Sequence, residues 1–319
     1  MKYVVFHSLL QMLMCLSLIN NLYAQDMQAT AFKGDYLGKK PPGVIAEEFD
    51  SGQITGDMNS FNFSFSPDGT ELFFSYIKST EDNPDAGYEI KYMKRTDNIW
   101  SAPETAFFSG TYSDVDITFS PDGTKLFFAS ERSNNNTTDI YCLEKTKKGW
   151  SEPKIVEGEV NSDDGDEIHP CISNKGNLFY RSTKSGGYGG NDLYKSEYVK
   201  GKFINEKNLG PNINTKYMET DCFIAHDESY ILFNTRRPED DNKFMIYISF
   251  QLEKDKWSKA VPLGEEVASI YGAMGSTLSP DGKYLFFSSR RGDKRAKYWI
   301  STEIFEKYKP EELQKRPAK

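Results

Sequence analysis

A phrase of about a dozen residues returns along the chain, and this repetition constrains the fold more than any other feature. It reads FSPDGTELFFSY at 65–76, FSPDGTKLFFAS at 119–130, ISNKGNLFYRST at 172–183 and LSPDGKYLFFSS at 278–289, with a weaker copy, IAHDESYILFNT, at 224–235. Aligned on the Ser of SPDG or its equivalent, successive copies lie 54, 53, 52 and 54 residues apart. A near-constant period of this size, built of strand-like runs, is typical of a β-propeller in which each repeat forms one four-stranded blade.

The second repeat shows how four strands fit into one period. The inner strand is predicted at 116–120 (DITFS), the second at 125–130 (KLFFAS) and the third at 139–143 (DIYCL), and the outer strand follows GWSEP at 149–153. Asp-Gly between the first two strands is a hairpin signal, because Gly accepts a positive φ without a steric penalty. The LFF triplet is apolar on both faces, as expected for a strand that neighbouring blades cover on both sides.

The two ends of the repeat region predict how the propeller closes. The last repeat supplies three strands, up to 297–301, and then becomes charged, whereas 39–52 (KKPPGVIAEEFDSG) resembles the missing outer strand. An N-terminal strand that completes the last blade would leave no free sheet edge. We therefore predict an all-β fold, a five-bladed β-propeller over 39–302, with a linker at 25–38 and a charged C-terminal tail at 303–319. Six blades are the alternative, if 25–60 forms more structure.

The first 24 residues predict export. They contain one Lys, a short apolar run and a polar break that ends at Ala24, which is the pattern of a cleaved secretory signal peptide rather than of a spanning helix. We expect a periplasmic or secreted protein with no membrane span, and lipid anchoring at Cys15 is the alternative. Cys142, Cys171 and Cys222 lie in apolar strand-like segments, and we expect buried free thiols rather than a bridge.

The recurrent SPDG turn, the LFF strand after it and the D-I-Y strand that follows resemble the WD-repeat-like propeller units of TolB and of many exported bacterial proteins. The resemblance covers about residues 40–302 and implies the fold. It leaves the function open, because such units occur in binding scaffolds, in lyases and in the propeller domains of serine peptidases. TolB carries an additional N-terminal domain that we do not expect here.

Charge narrows the class of partner. The chain has a net charge of −8 and a pI near 5.2, so its overall charge gives no support to binding of a phosphate backbone. We therefore expect no nucleic-acid partner.

Acidic and basic residues recur at fixed places in the repeats. Six positions before the Ser of the turn stand Asp114, Glu167 and Glu219, with Asp57 near the same place in the first repeat. A basic residue follows each second strand, namely Lys78, Arg132, Lys184, Arg237 and Arg291. Two interpretations stay open. The residues either tie blade to blade as ion pairs, or form a polar site at the mouth of the channel.

The third repeat departs from the others in two loops that we expect on one face, at 161–170 (NSDDGDEIHP) and 182–192 (STKSGGYGGND). Glycines permit close backbone approach, and an aromatic side chain can stack on a sugar. We predict a ligand site from these loops and the basic residues above, comprising Arg132, Glu167, His169, Lys184, Tyr188, Asn191, Arg237 and Arg291.

The sequence favours a binding function over catalysis. We predict a monomeric module that binds a glycan, a peptide or an envelope protein, with no cofactor and no metal, although the acidic run at 163–167 leaves Ca²⁺ as an alternative. The second hypothesis is a glycoside hydrolase or polysaccharide lyase. Its carboxylates would come from Asp57, Asp114, Glu167 and Glu219.

Overall fold

The computed structural model describes residues 32–50, 59–78, 83, 86–133, 137–241, 243–268, 271–291 and 294–315. Only the backbone is described for residues 268, 271, 290, 291, 294 and 295. Over all of these ranges, the structure contains no helix with the length and apolar character needed to cross a membrane. The described residues divide into two compact units, a larger one within 40–94 and 103–315 and a smaller one of residues 32–39 and 95–102.

The described residues form five antiparallel sheets, which confirms the five-bladed β-propeller and corrects the six-bladed alternative. The first blade contains β2 (Ser60–Phe65), β3 (Glu71–Ile77), β4 (Tyr88–Thr96), β5 (Ile99–Trp100) and β6 (Glu104–Thr105). The second contains β7 (Asp114–Phe119), β8 (Lys125–Ser130), β9 (Asp139–Thr146), β10 (Gly149–Trp150) and β11 (Lys154–Ile155). The third contains β12 (Glu167–Ile172), β13 (Leu178–Ser182), β14 (Asp192–Val199) and β15 (Lys202–Asn208).

The last two blades complete the set. The fourth contains β16 (Glu219–Ile224), β17 (Tyr230–Arg236), β18 (Phe244–Glu253), β19 (Lys256–Trp257) and β20 (Val261–Pro262). The fifth contains β21 (Tyr271–Leu278), β22 (Tyr284–Arg291) and β23 (Lys294–Ser301), joined by β1 (Glu47–Asp50).

The N-terminal strand closes the fifth blade, as predicted. β1 pairs antiparallel with β23, and Glu47 stands opposite Trp299. The side chain of Phe49 is fully buried and meets the rings of Phe286 and Trp299 edge to face, at centroid distances of 4.9 and 5.1 Å. Aromatic pairs of this geometry add to the hydrophobic burial, so a four-residue strand is enough to hold the closing contact.

The second strand of every blade forms the apolar contact between neighbouring blades. The three central residues of each are at most 2% exposed, which confirms that these strands are covered on both faces. Phe73 of the first blade packs with Phe108 and Phe119, and Phe179 of the third packs with Trp257 of the fourth. Each fully buried side chain of this kind contributes about 1.5–3 kcal/mol.

The turns that follow the inner strands share one hydrogen-bond pattern. The hydroxyl of Ser66 donates to Asp68 (2.6 Å) and accepts from the backbone N–H of Glu71 (2.9 Å), while Gly69 takes a φ of 65°. The equivalent contacts recur around Ser120 and Ser279. The SPDG motif is therefore a turn signal, with Ser and Asp fixing the backbone that Gly allows to reverse.

Helices are short. The described residues contain 3-10 helices at Asp35–Gly38, Pro238–Asp240 and Thr302–Tyr308 and α-helices α1 (Glu265–Ala268) and α2 (Glu311–Gln314). The stretch predicted as a charged tail is folded in its described part, since Ile304 and Phe305 are buried and the ring of Phe305 lies 5.1 Å from that of Tyr230. This segment is rich in charged residues, but its apolar side chains are buried.

In the smaller unit, the described end of the predicted linker is hydrogen-bonded to the hairpin that contains Trp100. The backbone N–H of Trp100 donates to the carbonyl of Phe32 (3.0 Å), and its indole N–H donates to that of Gly34 (3.1 Å). Arg95 pairs with Asp35 at 2.5 Å. Residues 32–38 are thus held by hydrogen bonds within this unit.

Candidate functional site

The direction of the strands decides which side chains share a face. Each inner strand runs toward its SPDG-type turn, so the loops that lead into the inner strands and those between second and third strands lie at the opposite end. We call that end the upper face.

Five residues, one from each inner strand, surround the central channel. They stand four positions before the Ser of the turn or its equivalent, and all have a positive φ of 48–69° at a β-bulge of the inner strand. A bulge re-aims side chains that would otherwise face a neighbouring sheet. All five line one cavity, and we call them the central ring: Asn62, Asp116, His169, Asp221 and Gly275.

The members of the central ring contact one another in order. Asn62 donates to Oδ1 of Asp116, whose Oδ2 lies 2.7 Å from Nδ1 of His169. Nε2 of His169 lies 3.0 Å from Oδ1 of Asp221, whose Oδ2 accepts from the N–H of Gly275 at 3.2 Å. A Cβ on Gly275 would stand 2.0 Å from Oδ1 of Asn62, so the absence of a side chain lets the fifth blade approach the first.

Both nitrogens of His169 face carboxylates, and this favours the imidazolium. Burial alone would lower the pKa of His169, but Asp116 and Asp221 outweigh it and hold the pKa above its ordinary value. Burial raises the pKa of Asp221, and the nearby His169 offsets part of that effect. The central ring therefore holds, between two carboxyl groups and almost closed off from water, an imidazole that is charged below about pH 6.5.

The predicted acid of the second blade is buried and fully hydrogen-bonded. Asp114 has no exposed surface and accepts from the hydroxyls of Ser109 (2.8 Å) and Ser130 (2.6 Å). Arg132 donates to the same carboxylate at 2.6 Å. All these partners belong to the loop before the strand or to the same blade.

Glu167 and Glu219 follow the same plan in the third and fourth blades. Glu167 accepts from the N–H and hydroxyl of Ser162 and from the hydroxyl of Ser182, at 2.5–2.9 Å. Glu219 accepts from the N–H and hydroxyl of Thr215, at 2.9 and 2.7 Å. Burial raises the pKa of each carboxyl to about 7, although these hydrogen bonds act in the opposite direction.

The predicted bases are engaged as well. The guanidinium of Arg132 lies 4.9–5.3 Å from the ring centroids of Tyr112, Phe128 and Tyr141. Lys184 pairs with Glu206 of its own blade.

In the fourth blade, Arg237 lies 3.6 Å from Glu219 and 4.3 Å from the ring centroid of Tyr247. The ion pairs of Arg132, Lys184 and Arg237 thus lie within a blade, whereas ties between blades were one of the two interpretations left open. Asp57 and the side chain of Arg291 lie outside the described residues.

The unusual loop of the third blade lies against the fourth blade. Asp192 accepts from the backbone N–H groups of Tyr188 (2.6 Å) and Gly189 (3.1 Å), which fixes the loop. A Cβ on Gly189 would stand 2.3 Å from the carbonyl oxygen of Tyr217, so this glycine permits close approach between the two blades. The carbonyl of Asn191 accepts from the N–H of Glu219 (3.2 Å).

Exposed apolar side chains lie on the upper face, one in each blade. They belong to the start of β4, to the loop before β7, to the loop between β13 and β14, to the residue before β16 and to β21, and they are 38–51% exposed. We call them the upper-face set: Tyr88, Tyr112, Tyr188, Met218 and Met274. Other exposed large apolar side chains of the described ranges, such as Ile45 and Phe107, lie outside this set.

Sequence reasoning selected His169 and missed its neighbours. Asn62, Asp116, Asp221 and Gly275 stand at the same offset from the repeated turn as His169, so alignment of the repeats contains the signal. The residue type at that offset differs in most copies, which hides it from a search for recurring letters. In the described part of the chain, no group of three His, Cys, Asp or Glu side chains could hold a metal ion.

The fold and the central ring define a five-bladed β-propeller with a closed polar channel. No protein-family model matches the chain, and no curated protein matches it either. Among solved structures, the Agrobacterium tumefaciens protein assigned as a TolB is similar with a TM-score of 0.52 and 18% identity, over 77% of this chain and 78% of that one. TolB from Acinetobacter baumannii has a TM-score of 0.50 and 14% identity over 77% of this chain, which spans 52% of its length. An α-L-arabinofuranosidase from Lactobacillus brevis has a TM-score of 0.47 and 14% identity, over 76% and 90% of the two chains. At these identities the likeness concerns the fold.

Proposed function

We propose that this protein is a non-catalytic binding module of the cell envelope, and that its upper face binds a polypeptide segment of a partner protein. The observation that carries the proposal is the upper-face set. Five exposed Tyr and Met side chains, one per blade, lie in upper-face loops or in strands that begin at that face. Tyr is enriched in the energetic centres of protein interfaces, and Met adapts its shape to varied partners.

A polypeptide suits this face better than a glycan. Recognition of a sugar needs polar side chains that are free to make fork-like hydrogen bonds beside an aromatic platform. Of the predicted basic ligand residues, Arg132, Lys184 and Arg237 are each already paired with a carboxylate of their own blade. The upper-face set adds exposed apolar and aromatic side chains beside the exposed charged residues of the upper loops, such as Asp163, Asp164 and Lys216.

The engagement of the acids supports binding rather than hydrolysis. A glycosidase needs two carboxyl groups that reach the substrate, whereas Asp114, Glu167 and Glu219 have no exposed surface. Asp116 and Asp221 share one partner, because His169 contacts one carboxyl oxygen of each. A substrate would have to displace that histidine.

Export is part of the proposal. The signal-peptide pattern at 1–24 lies outside the described residues and stays a prediction, as does lipid anchoring at Cys15. The fold that the chain shares with TolB proteins supports a place in the envelope. A protein partner is consistent with such a scaffold.

Site-specific photo-crosslinking in producing cells tests the proposal. Benzoylphenylalanine would replace Tyr188 on the upper face and, as a matched control, Tyr198, which is 44% exposed near the opposite end of the same blade. We expect a polypeptide adduct from position 188 and none from position 198. The Met218→Ala variant should reduce the adduct at 188 at least about tenfold, the effect of losing one central interface side chain.

Three results would contradict the proposal. They are equal adducts at the two positions, specific binding of a glycan by the purified protein with no polypeptide adduct, and turnover of a glycoside that Asp116→Asn abolishes. The last would instead establish the hydrolase hypothesis.

A further inference from the structure

Two cysteines from neighbouring blades meet in the wall of the channel. Cys171 lies in β12 of the third blade and Cys222 in β16 of the fourth, and their Sγ atoms are 3.3 Å apart. The two residues are 4% and 6% exposed, and both line the cavity of the central ring. The structure has both as free thiols.

We propose that Cys171 and Cys222 are a modification site, at which an oxidising compartment forms a disulfide that joins the third and fourth blades. The sulfur atoms need to approach by about 1.2 Å to reach bonding distance. The proposal depends on the predicted export and is independent of what the upper face binds. Disulfides persist in the periplasm and outside the cell, where thiols are not kept reduced.

The geometry around the pair is built by the fold rather than by chance contact of loops. Each cysteine sits within two residues of a central-ring member, His169 or Asp221, which contact each other at 3.0 Å. That contact fixes the separation of the two inner strands at the level of the thiols. Cys142 provides a contrast, because it is half-buried in β9 and its thiol contacts the carbonyl of Leu143.

The chemistry is a two-step thiol–disulfide exchange, with a disulfide of an oxidoreductase or a small molecule as oxidant. One cysteine thiolate attacks the oxidant disulfide, which releases one oxidant thiolate and leaves a mixed disulfide. The second cysteine loses its proton and attacks the mixed disulfide, which releases the other oxidant thiolate. Two cysteine thiols lose two electrons and two protons, and one oxidant disulfide becomes two thiols.

Burial decides when this exchange takes place. Desolvation raises the pKa of Cys222 well above its ordinary value, and the neighbouring Cys171 raises it further. The attacking thiolate is therefore scarce in the closed propeller, and the disulfide forms during folding, before the two blades are sealed. Once formed, it is shielded from reductants by the same burial.

Refolding of the full chain tests the proposal. Denatured, reduced protein would be refolded in a mixture of oxidised and reduced glutathione, alkylated, and digested for mass spectrometry. We expect a linked peptide pair containing Cys171 and Cys222, in wild type and in the matched control Cys142→Ser. The link closes a segment of 51 residues, so the oxidised protein should melt about 5 °C above the reduced protein.

The variants Cys171→Ser and Cys222→Ser should give no linked pair and no change of melting temperature on reduction. The comparison of oxidised with reduced wild type needs no variant, so a folding defect in either serine variant does not obscure the result. Free thiols at both positions after oxidative refolding would overturn the proposal. So would a bridge that uses Cys142, or a linked protein that melts no higher than the reduced one.

Discussion

Replacement of His169 by alanine removes the cation that joins the third blade to its neighbours on both sides. The variant leaves the carboxylates of Asp116 and Asp221, which are 4% and 7% exposed, without the partner that lies 2.7 and 3.0 Å away. Breaking a buried ion pair in this way costs about 3–5 kcal/mol. We expect the free energy of unfolding to fall by about 4 kcal/mol near pH 6, a large part of the stability of an ordinary domain.

The loss should depend on pH with a definite sign. The pKa of His169 is raised in the folded protein, so its contribution is complete below about pH 6.5 and is lost as the pH rises through that raised value. In the variant, the loss of His169 removes a group that lowers the pKa of Asp221, so this buried carboxyl can take up a proton as the pH falls. The difference between wild type and variant should therefore be greatest near pH 6, smaller at acidic pH and smaller again at an alkaline pH above the raised pKa of His169.

Urea unfolding followed by tryptophan fluorescence at these three pH values measures the difference. His226→Ala is the matched control, because His226 is exposed in the turn of the fourth blade and should change the free energy by less than about 0.5 kcal/mol. Addition of Asp116→Asn and Asp221→Asn to His169→Ala should restore part of the loss. A His169→Ala loss below about 1 kcal/mol at pH 6, or one that is the same at all three pH values, would refute the reasoning.

Three further substitutions test other parts of the structure. Gly275→Ala would place a Cβ 2.0 Å from Oδ1 of Asn62 at a φ of 69°, and we expect a loss of about 2–4 kcal/mol in urea unfolding; a wild-type midpoint would contradict the close approach. Wild-type stability should fall as the pH rises from about 4.5 to about 7, because the pKa values of Glu167 and Glu219 are about 7 in the folded protein. Glu167→Gln should lessen that fall by up to about 3 kcal/mol, and parallel pH curves would rule the effect out. Phe49→Ala should cost about 3–5 kcal/mol in calorimetry, whereas a change under 1 kcal/mol would show that β1 is dispensable.

The sequence was sufficient for the architecture because the repeat carries both the turn and the buried strand. Ser66, Asp68 and Gly69 set the turn by local hydrogen bonds and a positive φ, so the signal is present in consecutive letters. The closure by 39–52 was predictable for the same reason, since the fifth repeat lacks one strand and the N-terminal segment resembles it. The strand found there is β1.

The decayed fourth repeat shows where such local reasoning stops. Glu228 takes the place of the turn glycine with a φ of 64°, and its buried carboxylate pairs with Lys175 (2.8 Å) of the third blade. It also accepts from Ser173 at 2.7 Å. A position that reads as decay in the sequence is a contact between blades, because the partners are about fifty residues away.

The candidate site was only partly predictable. The circles of acids and bases were visible as recurring residues, but whether they face the channel or their own blade depends on side-chain direction, which the bulges of the inner strands decide. Tyr188 was predicted and is exposed, whereas the other members of the upper-face set have no common position in the repeat. Their association exists only in three dimensions.

The pairing of β1 with β23 also has a consequence for the order of folding. Glu47 and Trp299 are neighbours in the sheet, but Glu47 is added to the chain early in translation and Trp299 near its end. Blades one to four consist of consecutive residues and can assemble while the chain is still growing, whereas the fifth must wait for its final segment to emerge. Until then β1 has no strand to pair with. This segment is synthesised early, but it stays without its partner strand for most of translation.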